Sequence, residues 1–157
     1  LSLTYGDGVS VAGTCDFDSG NVVLVKYNST GTALWARSVT AGISASRFNS
    51  VAVDSSGSVY AAGYQSGTGS YTYGAGVSVV GTYSTSNVVL VKYNPSGTAL
   101  WAKSVTAGTT GKSNFNSVAV DSSGNIYATG ESAGSITYGY GVSVAGDGLV
   151  LVKYGNP

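Results

Sequence analysis

The sequence predicts an all-β fold of four-stranded antiparallel sheets, and three observations carry the prediction. A unit of about 66 residues recurs along the chain. Its apolar segments are short and rich in Val, Tyr and Trp, and the gaps between them carry Gly, Ser, Asn and Asp. Two full copies, 4–71 and 72–136, precede a partial one, 137–157, within a single repeat domain, 1–157. The decapeptide FNSVAVDSSG stands twice, letter for letter, at Phe48–Gly57 and Phe115–Gly124.

Each copy opens with TYGxGVSVxG, at Thr4, Thr72 and Thr137, read as a long loop or a marginal fifth strand. The valine run NVVLVKYN follows at Asn21 and Asn87, shortened to LVLVKY at Leu149. In the first of these Val22, Leu24 and Lys26 fall on one face and Val23, Val25 and Tyr27 on the other, so the strand is expected to be covered on both sides. NSTG and NPSG then turn the chain into the tryptophan strand, GTALWARSVTAG at Gly31 and GTALWAKSVTAG at Gly97. Next comes the decapeptide, whose DSSG is a hairpin turn because Asp and Ser bond back to their own backbone and Gly accepts a positive φ. SVYAAG at Ser58 or NIYATG at Asn125 closes the set. Four strands in consecutive hairpins, repeated radially, are the blades of a β-propeller. FNSVAVDSSG is then the innermost strand of a blade with its exit turn, copied because every blade must meet its neighbour in the same way.

AVDSSGNIYATG, then TYG, then VLVKYN and LWAK in fixed order resemble the bacterial β-propeller repeats of the SBBP family, over essentially the whole chain. The resemblance implies a secreted or surface propeller in which AVDSSG and IYATG form the inner two strands of a blade, and LVKYN and LWAKS the outer two. It implies no catalytic residues and no common ligand. Length is the departure: propellers use about four to eight blades, and this sequence supplies little more than two.

In blade order the first hairpin lacks its inner pair, and the last three strands lack a fourth. Open strand edges are templates for association. The expected partner is therefore a second copy of the chain, joined head to tail into a ring or filament, through Leu3, Tyr5, Val22, Leu24, Val150, Val152 and Tyr154. The third strand is present at both ends, so one copy of it must be displaced or must extend the sheet. The other reading of the missing strands is a piece cut from a longer propeller.

Composition narrows the chemistry. Seven basic residues balance seven acidic ones, so no field draws the chain to nucleic acid or anionic lipid. Charged residues are only 9%, replaced by Gly, Ser, Thr and Tyr, a balance that suits an extracellular or cell-surface protein. No apolar run reaches the ~20 residues of a membrane span, so no membrane insertion is expected. VAGTC before Asp16 places Cys15 one position late for a lipoprotein box. With no Met and no signal peptide, the sequence is expected to be processed or part of something longer.

A lone Cys and no His exclude the usual zinc patterns and a Ser/His/Asp triad. The acids sit mostly in turns and Glu131 is the only Glu, so neither enzymatic activity nor a cofactor is expected. Asp54 and Asp121 are read as turn caps rather than calcium ligands, one carboxylate per loop being too few. Asp16 and Asp18 come closer to an oxygen-ligand loop, but the second copy, YSTSN, has no acid there. Glycine patterns such as GTGSYTYGAG precede no helix and do not form a phosphate loop. Asn28-Ser29-Thr30 is an N-glycosylation sequon in a turn, and Pro95 blocks its counterpart. Trp35, Trp101, Tyr27, Tyr93 and Tyr154 are read as packing between blades rather than sugar platforms. Tyr5, Tyr73, Tyr138 and Tyr140 lie in Gly-rich segments, and the last three are candidate ligand contacts in the alternative reading of a lectin-like, glycan-binding propeller.

Overall fold

The computed structural model describes residues 2–14, 20–108 and 111–155. Among them the regular structure is entirely β, in sixteen short strands. Strands β1 (Ser2–Thr4) and β2 (Ser10–Ala12) form one small hairpin, and β3 (Leu24–Tyr27) and β4 (Ala33–Arg37) another. The central sheet joins the end of the first copy to the start of the second: β5 (Ser46–Val53), β6 (Val59–Ser66), β9 (Ser86–Tyr93) and β10 (Ala99–Ser104) are paired β10-β9-β6-β5 in one four-stranded antiparallel sheet. Between β6 and β9 the chain makes a separate hairpin of β7 (Ser70–Thr72) and β8 (Ser78–Val80).

The third sheet repeats the pattern across the next boundary between copies, with β12 (Lys112–Val120), β13 (Ile126–Ala133) and β16 (Gly148–Tyr154), paired β12-β13-β16. Its inserted strands β14 (Ile136–Thr137) and β15 (Ser143–Val144) form a small sheet with β11 (Ala107–Gly108), which belongs to the connection leading in from β10.

Local chemistry explains the turns. Asn28, Asp54 and Asn94 each place one side-chain oxygen on the backbone N–H groups two and four residues ahead, at 2.8 to 3.1 Å. Asp121 does the same at 2.9 Å. The residue three further on is Gly in each case, with φ between 81° and 85° at Gly31, Gly57, Gly97 and Gly124. That is a type I turn closed by a left-handed glycine, a standard exit from a hairpin.

TYGxGVSVxG is neither loop nor fifth strand of the main sheet: it folds as a hairpin, which in the two later copies hangs between the second and third strands of a sheet. Its tip is held by Tyr5 N–H to Val9 O, Tyr73 N–H to Val77 O and Tyr138 N–H to Val142 O, at 2.8 to 2.9 Å. The x residues Asp7, Ala75 and Tyr140 sit at φ 52°, 50° and 51°, an uncommon conformation for any residue but Gly.

Alternation along the strands builds two apolar layers, one on each face of the central sheet. Val59 and Ala61 of β6 with Val89, Val91 and Tyr93 of β9 face the first hairpin, meeting Val22, Leu24, Trp35 and Val39. Tyr60, Ala62, Val88 and Leu90 face the third sheet, meeting Phe115, Val118, Ile126, Ala128, Val150 and Val152. The central valine strand β9 is thus covered on both sides, whereas the first valine run, expected to be covered likewise, buries only Val22 and Leu24 and leaves Val23 and Tyr27 exposed because, among the described residues, no sheet lies on that face.

Polar bonds repeat at both steps between sheets. Val22 N–H donates to Ser46 Oγ at 3.1 Å, and Val88 N–H to Ser113 Oγ at 3.0 Å. Thr40 N–H donates to Thr72 O and Thr106 N–H to Thr137 O, at 2.8 and 2.9 Å. The duplicated decapeptides meet directly: Asn49 Nδ2 donates to Phe115 O at 2.8 Å and Val118 N–H to Ser50 Oγ at 3.2 Å. The decapeptide is therefore repeated because adjacent sheets touch through it.

Candidate functional site

The chemistry of this chain lies at its surfaces between sheets, and the two junctions differ. At the first, Trp35 is buried, its ring tilted against Tyr93 with centroids 6.4 Å apart. Trp35 Nε1 donates to Pro95 O at 3.1 Å, and Arg37 donates through Nε to Gly97 O at 2.5 Å and through Nη2 to Ser96 O at 3.1 Å. Lys26 Nζ adds a bond to Pro95 O at 3.1 Å. The turn 94–97 is therefore clasped by the preceding unit.

At the second junction the corresponding ground is open. A cleft of about 300 Å³ is lined by Trp101, Lys103, Tyr138, Tyr140, Val152 and Tyr154 among others. Trp101 is only half-buried, and Lys103 Nζ lies 6.0 Å from its ring and 5.6 Å from that of Tyr140. Among the described residues no strand pairs with the outer edge of β16.

The outward faces are apolar. Leu149 and Leu151 of β16 are 87% and 64% exposed, and Val51 and Val53 of β5 are 51% and 58% exposed. In register, Leu149 and Leu151 correspond to Val88 and Leu90 of the central sheet, and Val51 to Val118 of the third. Val88, Leu90 and Val118 are all buried, in one shared layer. The exposed residues are thus the two halves of a contact that the molecule closes in its interior.

Several sequence expectations are corrected here. Val22, Leu24, Val150 and Val152 were expected on an assembly surface, but their side chains lie inside the two layers. The opposite parity, Val23, Leu149 and Leu151, faces outward because it has no sheet to pack on. Tyr154 is half-buried, edge-on to Phe115 at 6.4 Å, and burial raises its phenol. Leu3 is exposed in β1 opposite Val11. Tyr5 is half-buried and its carbonyl accepts from Tyr27 Oη at 3.4 Å.

The candidate ligand tyrosines divide. Tyr73 and Tyr138 are buried and stack on Phe48 and Phe115 at 5.9 and 6.0 Å. Burial raises the Tyr73 phenol well above its ordinary range, with Tyr93 and Tyr71 adding to the effect, and its hydroxyl donates to Gln65 Oε1 at 3.0 Å. Packing, not flexibility, governs both. Tyr140 alone is a surface group, 93% exposed. Trp101 also lies 6.2 Å from the Tyr60 ring, so both tryptophans pack between units.

The acids behave as caps. Asp54 Oδ1 accepts from Ser56 N, Ser56 Oγ and Ser58 N, and its Oδ2 accepts from Tyr60 Oη at 3.0 Å. Burial works to raise this carboxyl, but the hydrogen bonds from Ser56, Ser58 and Tyr60 outweigh it and bring it down to about 2. Asp121 is lowered too, chiefly by the Asn125 side chain. Asp16 and Asp18, the other calcium candidates, lie outside the described residues, as does Cys15.

Antiparallel sheets stacked face to face, seated by the same Ser and Thr bonds at both steps, are the arrangement of neighbouring propeller blades. Residues 107–137 match the family model described as a beta-propeller repeat, SBBP. The matched stretch runs from β11 through the decapeptide strand to the inserted hairpin. No curated protein matches the chain.

Proposed function

We propose that the protein is a non-enzymatic scaffold of the extracellular space or cell surface, with about two propeller blades per chain, whose copies join head to tail and complete one another's blades. The observation that carries this reading is the complementarity of the exposed faces. Leu149 and Leu151 repeat the buried Val88 and Leu90, while Val51 repeats the buried Val118 against which they pack. Two different patches on one chain make a heterologous contact, which closes into a ring or grows into a filament. Covering each exposed leucine contributes about 1.5–3 kcal/mol.

The unpaired edge of β16 adds backbone hydrogen-bonding capacity to the apolar face. The strand that would pair there has a counterpart in the chain itself, since Gly31–Ala36 reads GTALWA like Gly97–Ala102 at the edge of the central sheet. The surface location is supported by the low charge and the Gly, Ser, Thr and Tyr content. A non-enzymatic role is supported by the lack of any His, the commonest general base.

Mixing two blocked variants tests the reading. L151K disables the back face and V51K the front, so each alone is expected to be monomeric by light scattering while the unmodified chain assembles. An equimolar mixture is expected to give a heterodimer, because one intact face of each kind remains. An unmodified chain that stays monomeric at micromolar concentration, or blocked variants that fail to pair, would overturn it.

A further inference from the structure

We propose that Trp101 and Lys103 are a donor pair that reads the backbone carbonyls of the turn Asn28–Gly31 of a second copy, an assignment that rests on the head-to-tail reading above. The template is inside the molecule. Trp35 and Arg37, at the same places in β4, donate to the carbonyls of Pro95, Ser96 and Gly97. Among the described residues, the side chains of Trp101 and Lys103 make ring contacts but no hydrogen bond.

The turn that would answer them has the same shape as the one already clasped. Asn28 and Asn94 cap their turns through the same atoms, Gly31 N–H donates to Asn28 O at 3.1 Å, and Gly97 N–H to Asn94 O at 2.9 Å. Their environments differ. A methyl group placed on Gly97 would meet the Trp35 ring at 2.7 Å, whereas one on Gly31 would meet nothing within 4 Å. The turn 28–31 is exposed throughout.

The cleft beside Trp101 is the space such a turn needs. Its lining residues Trp101, Lys103, Tyr138, Val152 and Tyr154 correspond to Trp35, Arg37, Tyr73, Val91 and Tyr93 at the closed junction. There the space is taken by Gly97 and Ala99, the latter 3.9 Å from where a methyl on Gly74 would stand. The carbonyls of Ser29, Thr30 and Gly31 of the second copy take the places that those of Pro95, Ser96 and Gly97 hold at the closed junction. The match holds whichever copy of the third strand is retained, because the turn leads into the fourth strand either way.

Lysine offers a point charge where arginine offers a fork that reaches two carbonyls at once. The open junction is therefore the weaker clasp, and it can be improved. Sedimentation velocity of the full 157-residue chain across the micromolar range is the measurement, with far-UV circular dichroism to show that each variant is folded. W101F keeps an aromatic ring, smaller than the indole, and deletes the N–H, and is expected to weaken association about fivefold or more. K103M is expected to weaken it by about tenfold or more, the lost donor being charged. K103R is expected to tighten it. If the unmodified chain assembles and the three variants associate equally well, or K103R associates less tightly than the parent, the donor pair is wrong and head-to-tail assembly survives. An unmodified chain that remains monomeric overturns both.

Discussion

Strands β9 and β16 share the pentapeptide VLVKY, at Val89–Tyr93 and Val150–Tyr154, and pair in the same register with the strand before them. In β9 the apolar side chains of both faces are buried; in β16 only Val150 and Val152 are, and Leu151 stands in solvent. Identical local sequence thus gives identical backbone pairing and different burial. Pairing is decided by the strand and its turn, but burial is decided by whether another sheet lies on the second face. The difference isolates what a neighbouring sheet contributes.

The largest effect that sharpens this comparison is expected from Leu90→Ala against Leu151→Ala. Leu90 is fully buried, so its truncation should cost about 2–5 kcal/mol in urea unfolding. Leu151→Ala should change the stability of the single chain by no more than about 0.5 kcal/mol. Equal losses at the two positions would mean that the face of β16 is already covered. A smaller contrast is expected between Gly97→Ala and Gly31→Ala. Both residues are left-handed, at φ 81° and 85°, so a conformational penalty of about 1–2 kcal/mol is common to both. Only at Gly97 does the new methyl strike Trp35, and thermal unfolding should show Gly97→Ala to be the worse by about 1–3 kcal/mol.

The smallest effect concerns the turns, where Asp54 stands in the place that Asn28 and Asn94 hold elsewhere. The Asp54 carboxyl is held at about 2, below its ordinary 3.8. Its contribution is therefore present above pH 4 or so and is lost as the pH falls toward 2, because the unfolded chain takes up the proton first. Asp54→Asn keeps the capping oxygen, so stability near neutral pH should change little, while the acid-side slope of the unfolding midpoint should flatten. A slope identical to that of the parent would place the acid sensitivity elsewhere, with Asp121 next in line.

Much of this architecture was legible because its causes are local. The Asn or Asp that opens each turn and the Gly that ends it are read directly from NSTG, NPSG and DSSG. The duplication then orders the strands, since a repeated decapeptide has to make a repeated contact. The failures concern what lies far away in sequence. Parity showed that Val150 and Val152 share a face, but not that this face meets Phe115 and Val118 while Leu149 and Leu151 meet solvent. The glycines around Tyr73 and Tyr138 keep a ligand role open beside the packing that the sequence favours, and only the structure shows that each follows directly on a short strand that turns it onto a phenylalanine. The hairpin tips are not legible in the sequence because Asp7, Ala75 and Tyr140 adopt a glycine-like φ that their identities do not announce. The clasp on turn 94–97 carried one signal, the recurrence of Trp two residues before a cation in both units.

The bonds that seat one sheet on the next recur at both steps, through Ser46 and Ser113 and through Thr72 and Thr137. Each unit consequently carries its own wedge angle, set by hydroxyls and carbonyls a few ångströms from the seam. How many wedges make a full circle is then a property of the repeat rather than of how many repeats one polypeptide holds. Circles cut into long or short arcs would share a single circumference.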